Sequence, residues 1–221
     1  MGFFQRLQQE TQPLRERLLN APVIRACARG EVSLDTYIAF LTQAYHHVRH
    51  TVPLLMACGG RLGPEYEWLR EAIAEYIEEE LGHQEWILSD LAACGVDPDS
   101  VRNGQPSLSI ELMVSYLYDC IQRGNPLGFF GMVQVLEGTS VSIATPLAKI
   151  IQQCLGLPDS AMRYLTSHGE LDQDHIRFFE GLMDRVDGVE DQRAIIHSAN
   201  VVYRLYGDMF MELPLPRTQA A

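Results

Sequence analysis

The sequence predicts an all-α, single-domain bundle of seven to eight helices, and three observations carry that prediction. Apolar residues recur at three- and four-residue steps along most of the chain, while period-two alternation is almost absent. Proline, glycine and short polar clusters interrupt the pattern at intervals of about one helix, leaving short joins. With 221 residues, 47% of them hydrophobic, the chain can bury one substantial core.

The elements follow in order. A first helix spans about residues 3–18, and Pro22 opens a short second one. Ser33 reads as an N-cap, and Tyr37, Leu41, Tyr45, Val48, Val52 and Leu55 continue a single helix behind it. Pro53 bends that helix late, and Cys58-Gly59-Gly60 ends it. Pro64 starts the next, which carries Trp68, Ile73, Tyr76, Ile87 and Leu91 up to Gly95. Gly82 lies inside it at a cost of about 1 kcal/mol against alanine, which a close backbone contact or a ligand would explain. Residues 96–108 form the longest loop. Helical pattern resumes near Ser109, breaks at Arg123-Gly124-Asn125, and restarts at Pro126 for a long apolar segment to Leu155 that Pro146 should bend. Asp159 is the expected N-cap of a helix over about residues 160–186, and a last helix covers about 190–210. Residues 1–212 make the domain, and 213–221, with two prolines and no pattern, a loose tail.

Composition narrows the function classes. Seventeen Lys and Arg stand against 29 Asp and Glu, a formal charge of -12, which disfavours a nucleic-acid surface or an anionic membrane. No unbroken apolar run of membrane-spanning length is present, so no bilayer span is expected. The N-terminal stretch lacks the apolar core and cleavage site of a secretory signal, and Gly2 lacks the following Ser or Thr of a myristoylation signal. Five scattered cysteines with no CxxC pair argue against a zinc knuckle or dithiol site and fit a reducing, cytoplasmic setting.

The chemistry concentrates in a few inward-facing polar residues. His168, Asp172 and His175 occupy i, i+4 and i+7 on one helix face, continuous with Tyr164, Leu165, Phe179 and Leu182. Two imidazoles and an acid on an apolar stripe are costly to bury unless paired, and a metal cation pairs with all three. In the run YIEEELGHQEW, His83 aligns with Tyr76, Glu80, Ile87 and Asp90, so it faces inward with Glu80, or alternatively Glu79, beside it. An acid three residues before a histidine is the local unit of di-iron carboxylate bundles. Glu137 stands alone between Phe130, Val133, Val141 and Ala144. In QAYHHVRH, His47 continues the line of Phe40, Ala44, Thr51 and Leu54, while His46 and His50 share another flank. Mixed imidazole and carboxylate donors suit iron or manganese, and six or so ligands fit two ions better than one. Tyr45, Tyr76, Tyr116 and Phe130 are candidates to line an adjoining pocket, with Tyr76 and Tyr45 the candidate catalytic tyrosines.

The order of Glu-His, Glu137 and His168-x-x-x-Asp172-x-x-His175 resembles the heme-oxygenase-like di-iron oxidases and oxygenases, within the superfamily of heme oxygenase, the TenA thiaminases and the quinone synthase PqqC. HGELDQDHIRFFE is the most specific segment; LEGTS and EELGHQEW resemble the two preceding ligand segments. The resemblance implies a heme-oxygenase-like bundle and a weakly held iron centre of two ions, with one ion or manganese as variants. The implied ligands are Glu80, His83, Glu137, His168, Asp172 and His175, with His47 as a further candidate where relatives use glutamate. It also implies a homodimer acting on a small organic substrate with dioxygen. Two alternatives stand beside it: a cofactorless oxidase similar to PqqC, for which YHHVRH and Arg177 supply basic residues, and a non-enzymatic helical binding protein.

Overall fold

The computed structural model describes residues 2–215, and of residues 168–175 the backbone alone. Among the described residues there are eleven α-helices and no strand. The first two, α1 (Phe3–Leu19) and α2 (Pro22–Ala28), match the sequence pattern; Phe3, Leu7, Thr11 and Leu18 form the buried stripe of α1.

The extra helices arise where single helices were expected. The Ser33 helix is two, α3 (Leu34–Val48) and α4 (Thr51–Arg61). Ser33 caps α3 by accepting from the Thr36 N–H at 3.1 Å. Pro53 lies in the first turn of α4, where its missing N–H costs nothing, whereas inside one continuous helix its ring would crowd the Arg49 carbonyl. The proline therefore separates two helices rather than bending one. Nor do the glycines end α4, which runs through Gly59 and Gly60 to Arg61.

The helix expected from Pro64 to Gly95 is likewise divided. A 3-10 turn (Pro64–Tyr66) leads into α5 (Glu67–Glu80), and α6 (His83–Ala93) follows after two residues. Leu81 is extended, and Gly82 has φ 92°. A Cβ on Gly82 would meet nothing within 4 Å, so the glycine serves its backbone angle and not a close contact. The expected long loop contains a further short helix, α7 (Pro98–Arg102), capped by Asp97.

The remaining helices are α8 (Leu108–Arg123), α9 (Phe130–Leu155), α10 (Arg163–Met183) and α11 (Val189–Glu212). Pro146 stays within α9. Together with the 3-10 turn before it, α9 spans Pro126–Leu155 and is long and apolar enough to cross a membrane by length and composition, with 61% of its most apolar window buried within the protein. Gly131 lets α9 touch α11, since a Cβ there would collide with the backbone of Ile195 and Ala199. Asp159 does not cap α10: it opens a 3-10 turn (Asp159–Ala161) and accepts from Gln152 at 2.7 Å. The start of the expected tail is packed, with Leu213 buried and the Pro214 carbonyl accepting from Thr36 Oγ1 at 2.8 Å.

Buried side chains form two clusters. The larger draws on α1, α4, α5, α8, α9 and α11, with Phe129, Phe130 and Tyr203 fully enclosed. The smaller joins α3, α6, the C-terminal half of α9 and the start of α10. The seam between them is where the candidate site lies.

Candidate metal centre and cavity

A cavity of about 160 Å³ occupies that seam. Its walls take Leu55, Tyr76 and Phe129 from the larger cluster, and Tyr37, Ala144 and Tyr164 from the smaller. Most of the lining is aliphatic or aromatic, and its ionisable groups include Glu80, Glu137 and His47. Val23, Ile24 and Cys27 of α2 and Leu213 also line the cavity. A mostly apolar hollow with a few converging polar groups is the usual form of a small-molecule site.

Glu80 and His83 flank the Gly82 turn. Glu80 is the last residue of α5 and His83 the first of α6, so the expected one-helix arrangement is replaced by two helix ends joined through a left-handed glycine. The turn brings Glu80 Oε2 within 3.0 Å of His83 Nδ1, with the side chains only 12% and 3% exposed. Carboxylate contact at one ring nitrogen is how proteins orient a metal-binding imidazole. Trp86 covers the imidazole face, ring centroids 4.0 Å apart at 32°. His83 stands behind Glu80 rather than in the cavity wall. Glu79, the alternative acid, is exposed.

Glu137 reaches the wall from the middle of α9, with Oε2 excluded from solvent. His47 comes from the last turn of α3, buried edge-on against Tyr206 at 5.4 Å. His46 and His50 point elsewhere. His46 packs against Tyr45 at 5.5 Å and near Gly104, and His50 Nδ1 is 3.2 Å from Tyr118 Oη. Burial, Arg49 and the other histidine lower the pKa of His46, and burial and Arg49 lower that of His50. Tyr76 lines the cavity and packs against Phe178 of α10 at 5.6 Å. Tyr45, Tyr116 and Phe130 do not line it; Tyr45 packs instead beneath the Arg49 guanidinium at 5.5 Å.

The side chains of His168, Asp172 and His175 lie outside the described residues. Their helix, α10, is continuous, and Leu165 on the cavity wall and Phe179 in the core stand on the line that spacing gives these three positions. Among the described residues no group of three or more His, Cys, Asp or Glu stands close enough to hold a metal ion. The described donors are hard oxygens and imidazoles, a chemistry that fits iron or manganese and not a thiolate site. Cys27 is the cysteine in the wall; burial first and Cys154 second push its thiol up to about 11, so it remains protonated.

Three parts of the cavity carry no sequence motif. Tyr206 and Phe210 of α11, Tyr37 and Phe40 of α3, and the α2 residues with Leu213 come together only through helix packing. Phe40 packs on Phe210 at 5.8 Å and on Tyr164 at 6.5 Å. Complete burial raises the Tyr206 phenol far above its ordinary value, so it keeps its proton.

Comparison with known proteins places the fold. A family described as iron-containing redox enzyme matches residues 38–207. A domain with a heme oxygenase-like fold from Shewanella denitrificans is similar at 23% identity and TM-score 0.84, covering 95% of this chain and 91% of that one. A TenA homologue from Pseudomonas syringae has TM-score 0.78 at 12% identity, covering 96% and 91%. Heme oxygenase from Leptospira interrogans has TM-score 0.74 at 18% identity, covering 96% and 100%. At these identities the structures establish a shared heme oxygenase-like fold. No curated protein matches the chain.

Proposed function

Since the chain belongs to the family of iron-containing redox enzymes, we propose that it is a non-heme iron oxidase or oxygenase acting with dioxygen on a small, largely apolar organic molecule. Glu80, His83 and Glu137 would hold the metal together with His168, Asp172 and His175, and His47 would complete the set. Two iron ions suit this number of donors; one ion or manganese is the variant. The observation that carries the reading is the Glu80–His83 couple opening, through Glu80, onto the cavity that Glu137 also lines.

The chain's own residues have definite tasks in this scheme. Glu80 and Trp86 fix the imidazole of His83 at its edge and its face. The apolar walls exclude water and hold the substrate body, while Tyr76 and Tyr206 offer phenol groups beside it. Bound iron supplies the redox chemistry that these side chains lack.

Anaerobic reconstitution with ferrous iron tests the proposal. The expected result is about two ions per chain, a near-ultraviolet or visible band on exposure to oxygen, and loss of uptake in His168→Ala and His175→Ala. Unchanged uptake in both variants would overturn the ligand assignment. A second reading keeps the cavity without a metal, as a cofactorless oxidase or a binding protein. What favours it is that the donors among the described residues make no three-membered group and that Glu80 Oε2 already stands 3.0 Å from His83 Nδ1. Under that reading the reconstituted protein retains no iron, and the two histidine variants alter only stability.

A further inference from the structure

Asp90 is fully enclosed on α6, two turns after His83, yet it is absent from the cavity wall. Its two carboxylate oxygens accept from the backbone N–H groups of Arg163, at 3.2 Å, and Tyr164, at 2.8 Å. These are the first two residues of α10, whose opening N–H groups have no partner within their own helix. The N-cap residue, Met162, makes no side-chain cap, and the acceptor comes from another helix. A carboxylate in that place also complements the positive end of the helix dipole.

The same junction has a second fastening. The Arg163 guanidinium lies over the Trp86 indole, 4.4 Å from its centroid. Trp86 in turn covers the ring of His83 at 4.0 Å. Trp86 therefore touches both Arg163, at the start of α10, and the candidate ligand His83. Beyond the fastened residues, Tyr164 and Leu165 enter the cavity wall.

We infer that Asp90, Trp86 and Arg163 form a clamp that fixes the start of α10 against the His83 imidazole, making them positioning residues for the metal site. This inference rests on the iron-binding reading for its consequence, though not for its geometry. Asp90 sets where α10 begins, and Arg163 and Trp86 carry that position to the ring. A displaced α10 would shift the cavity wall at Tyr164 and Leu165 and release the ring of His83 together.

Two measurements test the clamp in the full-length chain, using Asp90→Ala, Asp90→Asn and Arg163→Ala. The first needs no metal. Stacked on Trp86, the His83 ring protons should resonate upfield in the NMR spectrum, and Trp86→Leu identifies that shift by removing it. Asp90→Ala and Arg163→Ala should lose most of the shift, and Asp90→Asn, which keeps an acceptor oxygen, should restore most of it. The second uses cobalt(II) alone as the probe. Asp90→Ala should weaken binding at least about tenfold and change the visible d–d bands, with Asp90→Asn again rescuing both. A melting temperature that falls in Asp90→Ala while the His83 shift stays in place would reduce Asp90 to a helix cap and overturn the inference. If the unsubstituted chain takes up no cobalt but the ring-proton results follow the expected order, the metal reading fails and the clamp stands.

Discussion

Asp90 on α6 gives both carboxylate oxygens to the backbone of α10, at 2.8 and 3.2 Å, and is enclosed on every side. Glu137 on α9 keeps its carboxylate at the wall of a cavity, with one oxygen closed to solvent. In the sequence the two look alike, each an acid on an apolar helical stripe: Asp90 in line with His83 and Ile87, Glu137 with Val133 and Val141. The structure separates an acid that completes a helix from an acid that faces a ligand space. Burial of a charge signals only that a partner exists; which partner decides between architecture and chemistry.

The largest effects should fall on the Glu137 side. Glu137→Ala is expected to abolish ferrous iron uptake while leaving the melting temperature within a few degrees, measured by metal analysis and circular dichroism. A variant that takes up iron normally would place Glu137 with Asp90 as a structural acid. Asp90 itself should reveal its burial through pH. Desolvation pushes it up to about 6 from an ordinary 3.8, outweighing the two N–H groups of Tyr164 and Arg163 and the Arg163 charge. Its neighbours Tyr37 and Cys94 are raised above their ordinary values and stay uncharged in that window. The folded state thus holds the Asp90 proton more tightly than the unfolded state. Stability from this group is fully present below about pH 4, falls as pH rises toward 6, and is level above that. The stability of the unsubstituted chain relative to Asp90→Asn should therefore drop by on the order of 3 kcal/mol between pH 4 and pH 7, read from denaturant unfolding. A pH-independent difference would mean that Asp90 titrates normally.

How much of this was legible in the sequence follows from the range of the interactions. The all-α class, the Ser33 cap and the inward faces of His83 and His47 are written in local spacing and appear in the structure. Helix divisions were harder because Pro53 and Gly82 each permit two outcomes: a proline bends a helix or starts one, and a glycine is tolerated or required. The cap on α10 was out of reach, since its acceptor lies 73 and 74 residues from its donors. The cavity lining has the same character, since α2 and Leu213 come to one wall only after the bundle closes.

Smaller effects test the turn that joins α5 to α6. Gly82→Ala should cost about 1–2 kcal/mol, because a Cβ at φ 92° is strained although space around it is open. For a chain of this size that is a fall in melting temperature of roughly 2–8 °C. Iron affinity should weaken as well, since the strained turn moves Glu80 relative to His83. Loss of stability without loss of affinity would show that the 3.0 Å contact does not depend on the turn.

The smallest expected effect belongs to Glu79, the exposed neighbour of Glu80. Glu79→Gln removes one charge from an acidic stretch and should change stability by less than about 0.5 kcal/mol. Iron stoichiometry should also stay unchanged, whereas Glu80→Gln should reduce it. The two acids occupy adjacent positions and differ mainly in which side of the helix end they leave. Parallel iron titrations of the two variants therefore isolate direction from charge. Equal losses would mean that the acidic face acts through its field alone, and the distinction between a carboxylate in the cavity wall and one outside it would fail here.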